Sequence, residues 1–328
     1  MTRTTVIIPN YNGMKFLPAC IESLRAQEPR DFEVLVVENG SSDGSAEWLR
    51  QQTDIRTLFL PENLGFAGGV NAGIRASESD YVLLLNNDTV ALPGFVSALE
   101  QAIGRSKKLF SVSAMMIKAQ DHSLIDNAGD GMTLPGWAYQ RGLDEPVTRY
   151  LKSRDIFSAC GGAAIYRRSA LTETGLFDEM HFAYLEDVDL GWRARLAGYY
   201  NSYCPSARVY HLGSATSGSK YNAFKVRLSA RNNIYLHYKN QPPLQLALNF
   251  LPLAAGVLVK GVFFWKKGWL KEYLAGVSEG LRTCGKCRRA PGAKHGFRTY
   301  AALEWEFLIG TLEYIKCYSL RRVYNNKS

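Results

Sequence analysis

The sequence lacks a charged-then-apolar leader and enters a β-favouring run by Thr4, so no secretory signal is expected. It lacks low-complexity runs, and with 46% apolar residues its composition is that of a folded chain. A disulfide framework is missing too. The six cysteines, at 20, 160, 204, 284, 287 and 317, are scattered and sit mostly in apolar contexts, which suits reduced thiols in a cytoplasmic protein. Cys284 and Cys287 make a lone C-x-x-C with no second pair and no histidines at finger spacing, so the pair is read as incidental. Acidic residues are scarce in the last third. Residues 1–219 carry 20 Lys/Arg against 25 Asp/Glu, and residues 220–328 carry 19 against 5. The net charge of +9 therefore joins an acidic part at −5 to a basic tail at +14. Such a tail implies an anionic partner, either a membrane surface or nucleic acid.

What is present is a regular alternation. With 328 residues the chain can hold one large domain or one and a half. Thr4–Pro9, Phe32–Val37, Ile55–Leu60 and Tyr81–Leu85 read as strands. Helices are expected over 14–27, over Ser45–Gln52 and after the Gly-rich stretch 63–73. Strand and helix at this spacing predict a doubly wound, mostly parallel sheet. Further strands are read at Leu109–Ile117, Cys160–Tyr166 and, briefly, Val209–His211, with a helix over Glu186–Ala197. Residues 118–157 read as a polar insertion with Trp137 and Tyr139, a mobile flap or acceptor-side loop. Residues 213–220 have the composition of a flexible loop, and from Tyr221 onward the pattern is helical and basic.

The apolar run Tyr81–Leu85 ends abruptly in Asn86-Asn87-Asp88. In an open α/β sheet, ligands bind at the carboxyl ends of strands. A carboxylate placed there can hold a hard divalent cation, and the cation a diphosphate. The plainer alternative has Asp88 capping a helix begun by Pro93. Polar clusters also end the first and second strands, at the same edge if the strands are parallel. The Gly-rich loop fits neither a Rossmann fingerprint nor a P-loop. Its glycines still allow close backbone approach to a ligand, and the helix start favours an anion; close helix–sheet packing is the alternative.

Glu186, Asp187 and Asp189 open a helix behind the apolar segment Phe182–Leu185. Acids there complement the helix dipole, but beside a buried cleft one of them can serve as general base. Residues 186 and 187 lie about 100° apart around a helix and so should differ in role. Arg193, further along on the side of Glu186, is expected to orient that glutamate by a salt bridge. His211 ends a strand and reads either as a structural group or as a metal ligand. Paired with Asp88 it suits Mn²⁺ better than Ca²⁺.

These pieces in this order resemble the inverting glycosyltransferases of family 2, and within them the rhamnosyltransferase-like branch. The stretches that carry the resemblance are 6–12, 36–45, 63–71, 84–88, Gly161-Gly162, 177–179, 184–193 and His211. Together they span about residues 4–235. The resemblance implies the GT-A fold over 1–240, with a nucleotide-binding half at 1–105 and an acceptor and catalytic half at 106–240. Pro9, Asn10 and Tyr11 would line the base and ribose pocket, and Glu38, Asn39 and Asp43 would contact the nucleoside. Asn63, Gly65, Gly68 and Asn71 would hold the diphosphate and sugar, with Asn86 and Asn87 beside them. Asp88 and His211 would bind Mn²⁺ or Mg²⁺. Asp187 would be the base, supported by Glu186, with Gly161, Gly162, Trp192 and Arg193 on the acceptor side. The implied donor is a nucleotide sugar, first of all dTDP-rhamnose, with UDP-galactose, UDP-glucose, GDP-mannose and UDP-galactofuranose behind it. The implied acceptor is a glycan or polyprenyl-diphosphate-linked precursor of a surface polysaccharide such as O-antigen. The motif Asn86-Asn87-Asp88 departs from the family pattern by offering a single carboxylate.

Two other functions share parts of this pattern. A sugar-nucleotide pyrophosphorylase needs a basic Gly-rich loop directly after the first strand, where only Lys15 is nearby. A nucleic-acid-binding protein would use the basic tail as its arm on a degenerate core. The ordered motifs favour the transferase and no nucleic acid. Leu244–Trp265 is long enough to span a bilayer, but Pro252, Gly256 and Lys260 interrupt it. Trp265, Trp269 and Tyr273 beside lysines suit an interface. Residues 241–328 are therefore expected to form a helical region lying peripherally on the cytoplasmic face of the bacterial inner membrane. A homodimer is compatible with this arrangement.

Overall fold

The computed structural model describes residues 3–212 and 221–325; the expected loop at 213–220 lies outside the described residues. The first part alternates as read: β1 (Thr4–Asn10), α1 (Leu17–Arg25), β2 (Glu33–Asn39), α2 (Ser45–Leu49), β3 (Arg56–Leu60), α3 (Gly65–Ala76) and β4 (Tyr81–Leu85). After it come β5 (Thr89–Ala91), α4 (Phe95–Gly104) and β6 (Leu109–Lys118). The insertion holds β7 (Ile125–Asn127), β8 (Asp130–Met132), β9 (Ala138–Gln140) and β10 (Arg154–Ile156). Then follow β11 (Ala163–Arg167), α5 (Arg168–Thr174), α6 (Glu186–Leu196) and β12 (Tyr200–His211). The remainder is helical: α7 (Ala223–Asn240), α8 (Pro243–Leu248), α9 (Phe250–Lys266), α10 (Leu270–Thr283) and α11 (Phe297–Asn325).

Strands without polar side chains on either face must be covered on both sides. In the sheet, ordered β10-β12-β6-β11-β4-β1-β2-β3, side chains alternate between two cores. Val6, Ile8, Val36, Leu83 and Leu85 pack with Leu17, Ile21 and Phe95 of α1 and α4. Ile7, Leu35, Val37, Val82 and Leu84 pack on the other face with Val70 and Ile74 of α3. β1 pairs in parallel with β2 and β4, whereas β11 runs antiparallel between β4 and β6. β12 runs parallel to β6. The carboxyl ends of β1, β2, β4 and β12 consequently share one edge, which the start of β11 also reaches.

Two local expectations are corrected, and two alternatives fall away. The insertion is not a flap: β7 joins the sheet beside β6 and β8 pairs with β9. It is also anchored to α11, where Tyr139 donates to Glu313 at 3.0 Å and Met132 shares a core with Phe307. The aromatic residues that looked like loop decoration are its packing surface. The short strand at Val209–His211 is the end of a twelve-residue strand with an irregular register between Cys204 and Arg208, at Pro205. Asp88 does not cap a helix, since α4 starts at Phe95 behind Gly94. The apolar stretch Leu244–Trp265 is broken at Asn249 into α8 and α9. Among the described residues no helix is long and apolar enough to cross a membrane.

α6 is tied to α7 by a buried ion cluster. Asp189, with no exposed surface, accepts from Arg193 Nε at 2.9 Å, Lys239 Nζ at 2.9 Å and Asn240 Nδ2 at 2.8 Å. Burial alone would raise this carboxyl, but the Arg193 and Lys239 charges hold it well below the usual carboxylate range. Removing one partner of such a cluster leaves buried charge uncompensated. Asp189→Asn is expected to cost about 3–5 kcal/mol, read as a lower urea midpoint at unchanged slope.

Candidate donor, metal and base site

The polar residues at the strand ends are mostly engaged with one another. Asn10, at the end of β1, donates to Glu38 at 2.6 Å and accepts from Asn87 Nδ2 at 2.8 Å. Glu38 also takes the Ser41 N–H at 2.7 Å and the Ser45 hydroxyl at 3.2 Å. Asp43 caps the same turn, accepting from Met14 N at 2.7 Å and Ser45 Oγ at 2.6 Å. Burial would raise the Asp43 carboxyl, but these hydrogen bonds lower it. Asn39 accepts from Leu64 N at 2.9 Å and donates to the Gly65 carbonyl at 3.0 Å and to Asn63 at 3.2 Å. Asn71 brackets the backbone of Phe177, at 3.0 Å to its N–H and 2.8 Å to its carbonyl. These side chains build a floor that locks three strand ends and the glycine loop together. Tyr11 stands above it with its ring exposed, and Pro9 is half-buried.

Two glycines of the loop are required by space. Gly65 has φ +74°, and a Cβ there would lie 2.5 Å from the Phe182 carbonyl oxygen. A Cβ on Gly68 would lie 2.6 Å from that of Leu64. On the other side, Gly162 accepts from the Asn86 N–H at 2.8 Å, which joins β4 to the start of β11.

Asp88 is buried beyond this floor, and its Oδ1 lies 3.4 Å from His211 Nε2. The other ring nitrogen, Nδ1, lies 2.8 Å from Oδ2 of Asp126. Burial would lower the imidazole, but hydrogen bonds and charge from Asp126 and Asp88 raise it to about 10. Two carboxylates on one histidine form a donor set of oxygen and imidazole nitrogen that fits Mn²⁺ or Mg²⁺. With Nδ1–H donating to Asp126, the Nε2 lone pair is directed toward Asp88, and a cation between them would replace the proton that the pair otherwise attracts.

Asp187, at the start of α6, is held by two backbone N–H groups, Gly161 at 3.0 Å and Val188 at 2.8 Å. Asp130 and Cys160 place their ligand atoms within 4.8 Å of its own. Burial raises the Asp187 carboxyl. Burial and the Asp187 charge raise Asp130 well above the usual range, although Asn127 donates to it at 2.9 Å. Glu186 is raised by burial and by Asp187, and among the described residues its Oε2 has no hydrogen-bond partner.

The structure brings Asp88, His211, Asp187, Gly161 and Gly162 to one edge. It does not bring Trp192 and Arg193 there. Trp192 is fully buried against Phe157 and Phe307. The expected bridge from Arg193 to Glu186 is absent: Arg193 pairs with Asp189, one turn away, and donates to the carbonyls of Thr174, Gly175 and Leu176. Sequence reasoning missed Asp126 and Asp130. Their signal was two acids four apart in an otherwise apolar and glycine-containing run, within a segment read as a loop.

A model of glycosyl transferase family 2 matches residues 5–175. An N-acetylglucosaminyl-diphospho-decaprenol L-rhamnosyltransferase of Mycobacterium tuberculosis is 30% identical over 242 residues, 65% of this chain and 77% of that protein. A pre-mycofactocin glycosyltransferase of the same species is 29% identical over 210 residues, 63% of this chain and 42% of the relative. Among solved structures, S. aureus TarS with UDP-GlcNAc superposes with a TM-score of 0.56 at 16% identity, covering 99% of this chain and 92% of that one. A mannosyltransferase from Pyrobaculum calidifontis with GDP-Man and Mn²⁺ gives a TM-score of 0.51 at 18% identity, covering 98% and 87%. The fold is therefore GT-A-like, with an added helical C-terminal region.

The Glu186 environment gives a prediction with a definite sign. A carboxyl whose folded pKa is raised binds more protons folded than unfolded, so its contribution to stability falls as pH rises from the unfolded value of about 4.3. Glu186→Gln removes that charge. Its melting temperature should exceed that of the native protein by about 2 °C or more at pH 8, and the difference should shrink toward pH 5.

Proposed function

The chain belongs to glycosyl transferase family 2, and from that membership we propose that it moves a hexose from a nucleotide-diphosphate donor to a hydroxyl of a polysaccharide or lipid-linked oligosaccharide precursor. Rhamnose from dTDP-rhamnose is the first choice, supported by the rhamnosyltransferase relative, whose name describes a decaprenol-linked acceptor. UDP-galactose, UDP-glucose, GDP-mannose and UDP-galactofuranose are the alternatives. The observation that carries the reading is Asp187: a raised-pKa carboxylate, oriented by two N–H groups, on the sheet edge that also holds Asp88 and His211.

In this reading Pro9, Asn10, Tyr11, Glu38, Asn39 and Asp43 form the nucleoside pocket. Asn63, Gly65, Gly68 and Asn71 shape the loop beneath the diphosphate and sugar, next to Asn86 and Asn87. Gly161 and Gly162 lie on the acceptor side, where Gly162 packs closely on Asn86 and Gly161 on Phe66 and Asp187. That carboxylate takes the proton of the acceptor hydroxyl as its oxygen bonds to the anomeric carbon from the face opposite the leaving group. The bond from that carbon to the diphosphate oxygen breaks, the nucleoside diphosphate leaves with the electron pair, and the configuration inverts. A divalent cation held by Asp88 and His211 would supply positive charge against the departing diphosphate. Asp126 orients His211 through its Nδ1.

Residues 1–240 form the catalytic unit in this proposal, and 241–328 lie on the cytoplasmic face of the membrane. Leu248, Leu251 and Leu258 are 73%, 76% and 71% exposed, and Phe250 and Trp265 are exposed with them beside Lys266 and Lys267. Large exposed apolar side chains flanked by lysines match an interfacial helix on an anionic surface. A polyprenyl-linked acceptor would be met on that surface.

Thermal stabilisation by UDP, dTDP and GDP, each with Mn²⁺, tests the donor site. One nucleotide should stabilise by about 2.7 kcal/mol at 100 times its Kd. The effect should vanish in Asp88→Ala and persist in Asp187→Asn, whose turnover should drop by about 10²–10⁴-fold. Stabilisation by none of the three would sink the donor-site reading. For the membrane, the protein should sediment with phosphatidylglycerol vesicles, and Leu251→Glu with Leu258→Glu should abolish this. No sedimentation of the native protein would contradict the peripheral reading.

A further inference from the structure

The residues directly before Glu186 and Asp187 adopt a backbone that L side chains rarely take. Phe182, Tyr184 and Leu185 have φ of +61°, +70° and +67°. None is glycine, and no side chain of the segment itself makes that conformation favourable. Something outside the segment has to hold it.

The holder is on α7. Asn232, with no exposed surface, directs its amide nitrogen at three carbonyl oxygens of this segment: His181 at 2.9 Å, Ala183 at 2.8 Å and Tyr184 at 2.8 Å. Three acceptors and two N–H hydrogens fix which way the amide faces, and Oδ1 in turn accepts from Arg231 Nε at 3.1 Å. Arg231 adds its own donation to Met180 and His181 carbonyls, at 2.9 and 3.2 Å. The one remaining carbonyl between them, that of Phe182, accepts from Ala67 N at 3.1 Å at the start of α3. The segment is thus pinned from behind by α7 and from in front by the glycine loop, and α6 starts where it ends.

We propose that Asn232 is a positioning residue for the transfer reaction: by fastening residues 181–184 in their strained path it sets where the Asp187 carboxylate stands. The inference rests on the reading of Asp187 as base and adds a residue that touches neither donor nor acceptor. Lys239 and Asn240, two turns further along α7, grip Asp189. One helix therefore fixes both the approach to α6 and its first turn.

The loss should fall on the chemical step rather than on nucleoside binding, because Asn232 holds the carbonyls of His181, Ala183 and Tyr184, whereas the glycine loop meets the segment at the Phe182 carbonyl and the floor is built by Asn10, Glu38 and Asn39. Asn232→Asp keeps the size and removes both donors. Its kcat is expected to fall by about 10–100-fold, with nucleoside-diphosphate affinity within about twofold of the native protein. Amide hydrogen exchange should quicken over 181–188 and stay unchanged in α1 and α4. Arg231→Ala, a milder change on the same segment, should give the same split with about a threefold loss of kcat, and it decides the matter if Asn232→Asp does not fold. Native kcat together with native exchange over 181–188 would overturn the proposal. So would affinity and kcat falling together in step with melting temperature, which is the mark of a merely structural residue. Exchange needs no substrate, so it judges the positioning role even where Asp187→Asn keeps full turnover, the result that would instead sink the base reading.

Discussion

A carboxylate buried under a sheet edge must be met by opposite charge, by N–H groups or by a proton. Each acid here is met differently, and that sorts their roles. Asp189 is neutralised by Arg193 and Lys239 and belongs to the frame. Asp88 and Asp126 share His211, which leaves a place where a cation would substitute for a proton. Asp187 is met by backbone N–H groups, those of Gly161 and Val188 among them, which aim it without a neutralising cation. Burial raises its carboxyl, and its charge in turn helps to raise those of Asp130 and Glu186. The Asp189 cluster has its charge compensated and the working edge does not, which is where stored destabilisation is expected at a functional site.

The same division runs through the donor side. Asn10, Glu38, Asn39 and Asn71 have their polar atoms committed to the backbone or to each other. Their contribution to a donor pocket is therefore shape and rigidity more than free hydrogen-bonding capacity. Tyr11, exposed at the rim, remains for direct contact.

The alternation of the first hundred residues was legible because buried parallel strands have no polar face to obscure their period. β4 was read with the bounds the structure shows, and strand direction put the polar ends of the first, second and fourth strands at one edge, whereas the place of His211 beside Asp88 was implied by the family resemblance. The insertion was not legible. Its strands are three residues each, too short for a period, and what holds β9 and β10 lies far off, in α11 and β12. Asp126 and Asp130 were lost with it. Arg193 was assigned to the wrong acid because side-chain direction on a helix is set by i, i+4 spacing, which favours Asp189 over Glu186. The role of Asn232 could not be read, since it depends on backbone angles at Phe182, Tyr184 and Leu185.

The central claim is that Asp88 and His211 hold the cation while Asp187 stays free to act as base. Anomalous diffraction at the manganese edge, from crystals of the protein grown with Mn²⁺ and the stabilising nucleoside diphosphate, tests it most directly. The account predicts one peak bonded to Asp88 and His211 Nε2 and in contact with the diphosphate. A peak seated instead among Asp130, Cys160 and Asp187 would contradict it, because Asp187 would then be a ligand and could not take the acceptor's proton.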